Sequence, residues 1–246
     1  YRFSTGIGHR LTDALTVGAS SELIFGILEE NQQTLFNDLS FVDRSVSKAT
    51  RMHGLTAKAG FKFVVPGMPD GKGLVIGGTI RLPKMMTATR SQALVDKLDR
   101  DTLGTVIKGD IKLPLELGFG VAFQPDPRWT LIADVSFEGW SEFESDFDLP
   151  GYSTTGPSNV SNGTRISAGA EYWPAARRPF APWSSKIAYR IGFYTDQSYI
   201  SPNVDENIGS IGITGGLSLP SLVPGTTIDM NIDVGRRGTT SNGLVR

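Results

Sequence analysis

The chain has 246 residues, no cysteine and two histidines, and its 24 Lys and Arg nearly balance 25 Asp and Glu. These numbers exclude a disulfide framework, a thiolate metal site and a basic nucleic-acid surface. His9 and His53 stand in no nucleophile or metal-ligand spacing, so neither an enzyme nor a metal or cofactor site is expected. The longest apolar run, 23–28, falls far short of the roughly 18 residues of a membrane-spanning helix. A mean hydropathy of -0.11 fits a soluble protein and a membrane barrel equally, because in a barrel only alternate residues meet lipid.

Alternation of apolar and polar residues with period two recurs from the start of the chain to its end. The segments are 1–10, 15–28, 55–65, 74–82, 111–123, 129–138, 165–173, 186–194, 209–219 and 227–235. In the longest clean case, Ile111, Leu113, Leu115, Leu117, Phe119, Val121 and Phe123 share one face over thirteen residues. A helix would scatter these side chains around its axis. At about 3.3 Å per residue and a tilt of roughly 40°, such a strand covers about 30 Å, enough for an apolar band near 25 Å. The other face carries small residues and charges of both signs, among them Lys58, Arg81, Glu116, Glu171, Arg190 and Asp229. Short joins at 10–16, 66–73, 124–128, 174–185 and 219–226 alternate with long polar excursions at 29–54, 83–110, 139–164 and 195–208. Trp129, Trp140, Trp173, Tyr194 and Tyr199 stand near strand ends, as an interfacial aromatic girdle requires. The pattern predicts an all-β, antiparallel transmembrane β-barrel built as a meander, with ten strands in this chain.

Leu113-Pro114, Asp126-Pro127, Trp129, Trp140-Ser141 and Phe143, with the late segments RISAGAEYW, YRIGFYTDQSYISP, IGITGGLSLP and TTIDMNIDVGRRG, carry a resemblance. They are similar to the FadL-type outer-membrane transporters of long-chain fatty acids and other hydrophobic compounds, specifically over 111–237. The resemblance implies a fourteen-stranded barrel of which this chain holds strands four to thirteen. It makes 1–246 one outer-membrane barrel domain of a Gram-negative bacterium, incomplete at both ends. Ten strands alone would leave two unpaired edges in lipid, which is prohibitively costly.

Two excursions hold apolar residues with no strand register to place them. The first contains Leu35, Phe36, Leu39 and Phe41; the second contains Met85, Met86, Leu94 and Leu98, with 91–101 reading as a short helix capped by Ser91. Either each excursion builds its own small core, or, as the resemblance implies, the two together form an outer groove that captures substrate. Lys58 and Arg190 stand beside glycine on the polar parity and are candidates for a fatty-acid carboxylate, unless inward carboxylates neutralise them. The resulting expectation is passive uptake of long-chain fatty acids or other hydrophobic small molecules across the outer membrane. Its partners would be outer-membrane lipid and a hydrophobic ligand or detergent, with no nucleic acid. The alternative is a FadL-like barrel that docks a protein partner at its extracellular loops, as a structural subunit of a secretion or surface assembly.

Overall fold

The computed structural model describes residues 1–34, 44–68, 72–95, 100–149, 152–156, 160–176, 178, 180–199, 208–221, 223 and 226–238. Twelve strands carry the alternating segments: β1 (Arg2–Arg10), β2 (Leu15–Thr34), β3 (Arg44–Val64), β4 (Gly73–Arg81), β5 (Lys84–Val95) and β6 (Arg100–Leu113). The second half adds β7 (Glu116–Gln124), β8 (Trp129–Glu138), β9 (Gly163–Tyr172), β10 (Ala188–Gln197), β11 (Gly209–Pro220) and β12 (Thr227–Arg237). All pair antiparallel in one sheet of order β1-β2-β3-β4-β7-β8-β9-β10-β11-β12, with β5 inserted between β3 and β6. The ten positions of that path are the ten segments expected from the sequence. Among the described residues β1 and β12 each have one partner, and the sheet is open.

The apolar parity lies exposed. Ile7, Phe119, Ile191 and Ile232 are 79%, 51%, 68% and 70% accessible. Among the described residues eight apolar side chains are buried, five of them alanines. A soluble sandwich would bury this face against a second sheet. Here it suits lipid, and the opposite, polar face is the one a barrel turns to its lumen.

Two long excursions prove to be sheet. β2 continues to Thr34 and β3 starts at Arg44, so much of 29–54 is a hairpin. The 83–110 excursion is the β5–β6 hairpin, and the helix expected over 91–101 is absent from its described residues, since β5 runs to Val95 and β6 starts at Arg100. Ala93, Leu94 and Leu98 do fit a helical spacing. The waiting edge of β3, paired from Ser45↔Val95 to His53↔Thr87, overrides it.

The thirteen-residue strand expected over 111–123 is broken at Pro114-Leu115, between β6 and β7. Leu82-Pro83 lies opposite, since Arg81 pairs Glu116 and Lys84 pairs Leu113. Neither proline has an N–H to give a ladder, so two prolines facing each other end regular pairing in both chains at once. Leu82 instead donates its N–H to the Ala57 carbonyl (3.1 Å), and the Thr56 hydroxyl donates to the Leu82 carbonyl (3.0 Å). One extra residue is taken up here: Lys58 pairs Arg81, whereas His53, five residues back, pairs Thr87, six residues on. Above the break every side chain of the hairpin therefore changes face. Ile111 joins the polar side and is buried at 3%, while Leu117 remains on the apolar side at 39%. Lys112, expected on the polar parity, turns the other way and pairs with Glu144 (3.0 Å).

Substitution separates the two faces. In detergent, Ile111→Ala should cost roughly 2–4 kcal/mol of unfolding free energy through the cavity it leaves. Leu117→Ala, replaced on a detergent-covered face, should cost less than about 1 kcal/mol. Equal losses would show that the face does not change at the prolines.

Candidate functional site

The polar face neutralises itself strand by strand. Residues paired across β2, β3, β4 and β7 bring Glu22, Lys58, Arg81 and Glu116 together. Lys58 Nζ lies 3.3 Å from Glu116 Oε1, and the Arg81 guanidinium binds the other oxygen of the same carboxylate. Arg81 and Arg2 approach Glu22 at 3.8 and 3.9 Å. Glu22 is buried with a side chain 6% exposed. Among the described residues its Oε2 and the Arg81 Nε have no hydrogen-bond partner. Two carboxylates thus hold three cations in a partly dry environment, where removing one member leaves another uncompensated.

A second cluster repeats the scheme on β9–β12. Arg190 donates to Glu171 (2.7 Å) and Asp229 (3.3 Å), and the Ser218 hydroxyl donates to Asp229. Four residues further along β10, the Arg165 guanidinium stands 4.9 Å above the Tyr194 ring, whose hydroxyl donates to Asp233 (3.1 Å). That ring lies flat over Gly212, where a Cβ would collide with it. Glycine is needed there for the close approach. Shallow grooves of about 450 Å³ and about 600 Å³ run along the face, the first beside Lys58 and Gly60, the second beside Arg190 and Gly192.

The expected capture residues are distributed otherwise. Met85 and Met86 occupy opposite faces of β5, Met85 47% exposed and Met86 1%. Leu94 pairs with Val46, on the same face as Met86. Leu35, Phe36, Leu39, Phe41 and Leu98 lie outside the described residues. Lys58 and Arg190 face the polar side as expected, each within an ion-paired cluster.

Residues 139–149, expected to be polar loop, form a cap that folds onto the polar face above the proline break. Residues 144–146 lie beside β6, joined by Lys112 N–H to the Glu144 carbonyl (2.8 Å) and Asp146 N–H to the Asp110 carbonyl (3.0 Å). Phe147 then crosses over Gly109 to Ala88 and Ile111, with Met52, Phe143 and Leu149 around them. Arg90, buried at 8%, stacks its guanidinium 4.8 Å from the Phe147 ring. It also donates to the Thr50 hydroxyl (2.9 Å) and the Asp148 carbonyl (2.8 Å). Trp140 donates its indole N–H to Glu138 and stacks on Tyr199 at 4.5 Å. The signal for this cap was present in the sequence as Trp140, Phe143, Phe147, Leu149 and Tyr152, an apolar density unusual for a solvated loop.

The N–H and hydroxyl of Thr154 both donate to the Asp148 carboxylate, at 2.7 and 2.8 Å. The backbone hydrogen bond first, then the hydroxyl, hold its pKa below the ordinary carboxylate value. A depressed carboxylate contributes stability above its unfolded pKa and loses it as pH falls through the folded one. Asp148 should accordingly titrate below an ordinary aspartate by NMR, and Thr154→Val should move the midpoint part of the way back. An ordinary midpoint would show that this clasp does not form.

Among the solved structures similar to this chain, two illustrate the shared fold. One is described as the CymD monoaromatic hydrocarbon channel, at 16% identity and a TM-score of 0.53 over 96% of this chain and 68% of that one. The other is a Pseudomonas aeruginosa FadL homologue, at 11% identity and a TM-score of 0.55 over 96% of this chain and 59% of its own. The chain thus spans about two thirds of their length, and identities this low speak for the fold alone. No curated protein matches the chain. The antiparallel sheet is of the kind the FadL resemblance implied, though open and of twelve strands rather than ten among the described residues, while the family model that spans residues 1–246 carries another label, BamG; the chain belongs to the BamG family.

Proposed function

We propose that the protein is an outer-membrane β-barrel through which hydrophobic small molecules pass passively. The observation that carries this reading is the inversion of the sheet: its apolar face is exposed for lipid, and its polar face neutralises its own charges over a glycine-rich floor. One structure of the same fold is described as a monoaromatic hydrocarbon channel, which supports the reading by likeness of fold. The finer choice lies between long-chain fatty acids and uncharged hydrophobic compounds. A fatty-acid carboxylate would have to displace Glu116 from Lys58, or Glu171 and Asp229 from Arg190, and would gain little over the bond it breaks. An uncharged solute meets no such competition.

A second reading, a docking subunit for a protein partner at the long-loop end, is favoured by one observation. The upper halves of β2 and β3, with β5 and β6, extend the sheet well beyond the Glu116↔Glu138 and Glu138↔Gly163 pairs at which β7, β8 and β9 end. A rigid, hydrogen-bonded blade is better suited to holding a partner than a flexible loop is. A protein that co-purifies from the native membrane and is lost when the β5–β6 hairpin is shortened, with solute passage unchanged, would favour docking over transport.

The transport reading is tested in vesicles that carry the protein and have an outer leaflet of lipopolysaccharide, which apolar solutes cross slowly. Toluene and dodecanol should equilibrate faster than in empty vesicles, and glucose should not. Lys58→Ala and Arg190→Ala should change the passage of dodecanoate and of dodecanol by the same factor, within about twofold. A selective loss for the acid of tenfold or more would give these cations a carboxylate-binding role. Equal rates with and without protein would contradict transport.

A further inference from the structure

We propose that residues 139–149 are a gate over the lumen and that Arg90 is its latch. The proposal rests on the transport reading above and adds a moving part to it. Below the proline break the polar face is a shallow, open wall; above it the same face, on β3, β5 and β6, is covered by this cap. A solute coming from the long-loop end along that face meets Phe147 and Leu149 before it meets the grooves.

The chemistry of the contact makes the closed state easy to leave. Arg90 is buried, yet among the described residues it forms no ion pair with a carboxylate. Its compensation comes from the Phe147 ring, the Thr50 hydroxyl and the Asp148 carbonyl, two of which belong to the cap itself. When the cap lifts, the guanidinium loses those contacts and regains water, so its desolvation cost opposes closure while its contacts favour it. The apolar cluster beneath contributes through only three fully buried members, Ala88, Ile111 and Phe147. Opening needs residues 144–149 to peel away from β6 and Arg90, which breaks two backbone hydrogen bonds, the bond from the Asp110 N–H to the Asp146 carboxylate (2.7 Å) and the Lys112–Glu144 pair. The hinge end stays tied by Trp140 to Glu138 and by the Ser141 N–H to Asn162 (3.0 Å).

The absence of cysteine from the chain allows a clean lock. Ile111 and Ser145 face each other in an antiparallel bridge whose hydrogen bonds are made by their neighbours. Such non-hydrogen-bonded pairs bring Cα atoms to about 4.5 Å, within the span of a disulfide. The full protein carrying Ile111→Cys and Ser145→Cys is placed in the same lipopolysaccharide-faced vesicles and toluene uptake is followed before and after dithiothreitol. The gate predicts that the oxidised form passes toluene at least tenfold more slowly than the wild type, and that reduction restores most of the rate in the same sample. Arg90→Ala, without the cysteines, should raise the wild-type rate severalfold. If the oxidised and reduced forms pass toluene equally while the wild type is active, the gate is overturned and transport stands. If the wild type itself passes none, the transport reading fails and the gate falls with it.

Discussion

A strand that crosses lipid can leave no backbone N–H or C=O without a partner, and the whole sheet is organised by that demand. Ten neighbouring positions meet it through antiparallel ladders, from Arg2↔Ile24 to Pro220↔Thr227, except at the proline break and, among the described residues, along the outer edges of β1 and β12. Once the ladders are set, the side chains have only two destinations. The apolar ones go to one face and the charged ones to the other, where carboxylate and cation meet across neighbouring strands. The clusters around Glu116 and Arg190 are consequences of the pairing, since β2, β3, β4 and β7, or β9 to β12, bring opposite charges into register.

The same constraint explains why the proline break matters. A regular strand could not change face without moving its apolar set into the lumen. Pro83 and Pro114 remove two ladder donors at facing positions, and the sheet takes up one residue there before regular pairing resumes at Lys84↔Leu113 and His53↔Thr87. Above that point the polar face carries Met86, Ala88 and Ile111, and these need a cover. Residues 139–149 provide it. Kink, small apolar cluster and cap are thus parts of one arrangement, in which the buried Arg90 holds the cover at Phe147 and Asp148.

The period-two pattern made the ten sheet positions, their faces and the alternation of short and long joins readable from residues such as Ile228, Met230, Ile232 and Val234 on β12. It also misled at two places for identifiable reasons. Ile111 and Leu117 have the same parity, and nothing in parity reveals that Pro114 lies opposite Pro83 until the pairing is known. Residues 91–98 offer a helical spacing, and only the free edge of β3 decides against it. The pairing of Lys58 with Glu116 and Arg81 could be anticipated as charge neutralisation, though not which carboxylate each cation takes, because that depends on register across three strands. The cap was missed because its apolar residues follow no period; they pack against a face whose composition was itself misassigned by the break.

The exposed apolar parity is the feature a sheet that stands in a membrane requires. The central claim is that its two faces meet different solvents, lipid on one side and a wet lumen on the other. Single cysteines placed along β7, in a chain that has none of its own, test this directly with a water-soluble thiol reagent applied to the protein in vesicles. The account predicts rapid labelling at positions 118, 120 and 122 and protection at 117, 119 and 121. Uniform labelling at all six positions, or the opposite alternation, would contradict it.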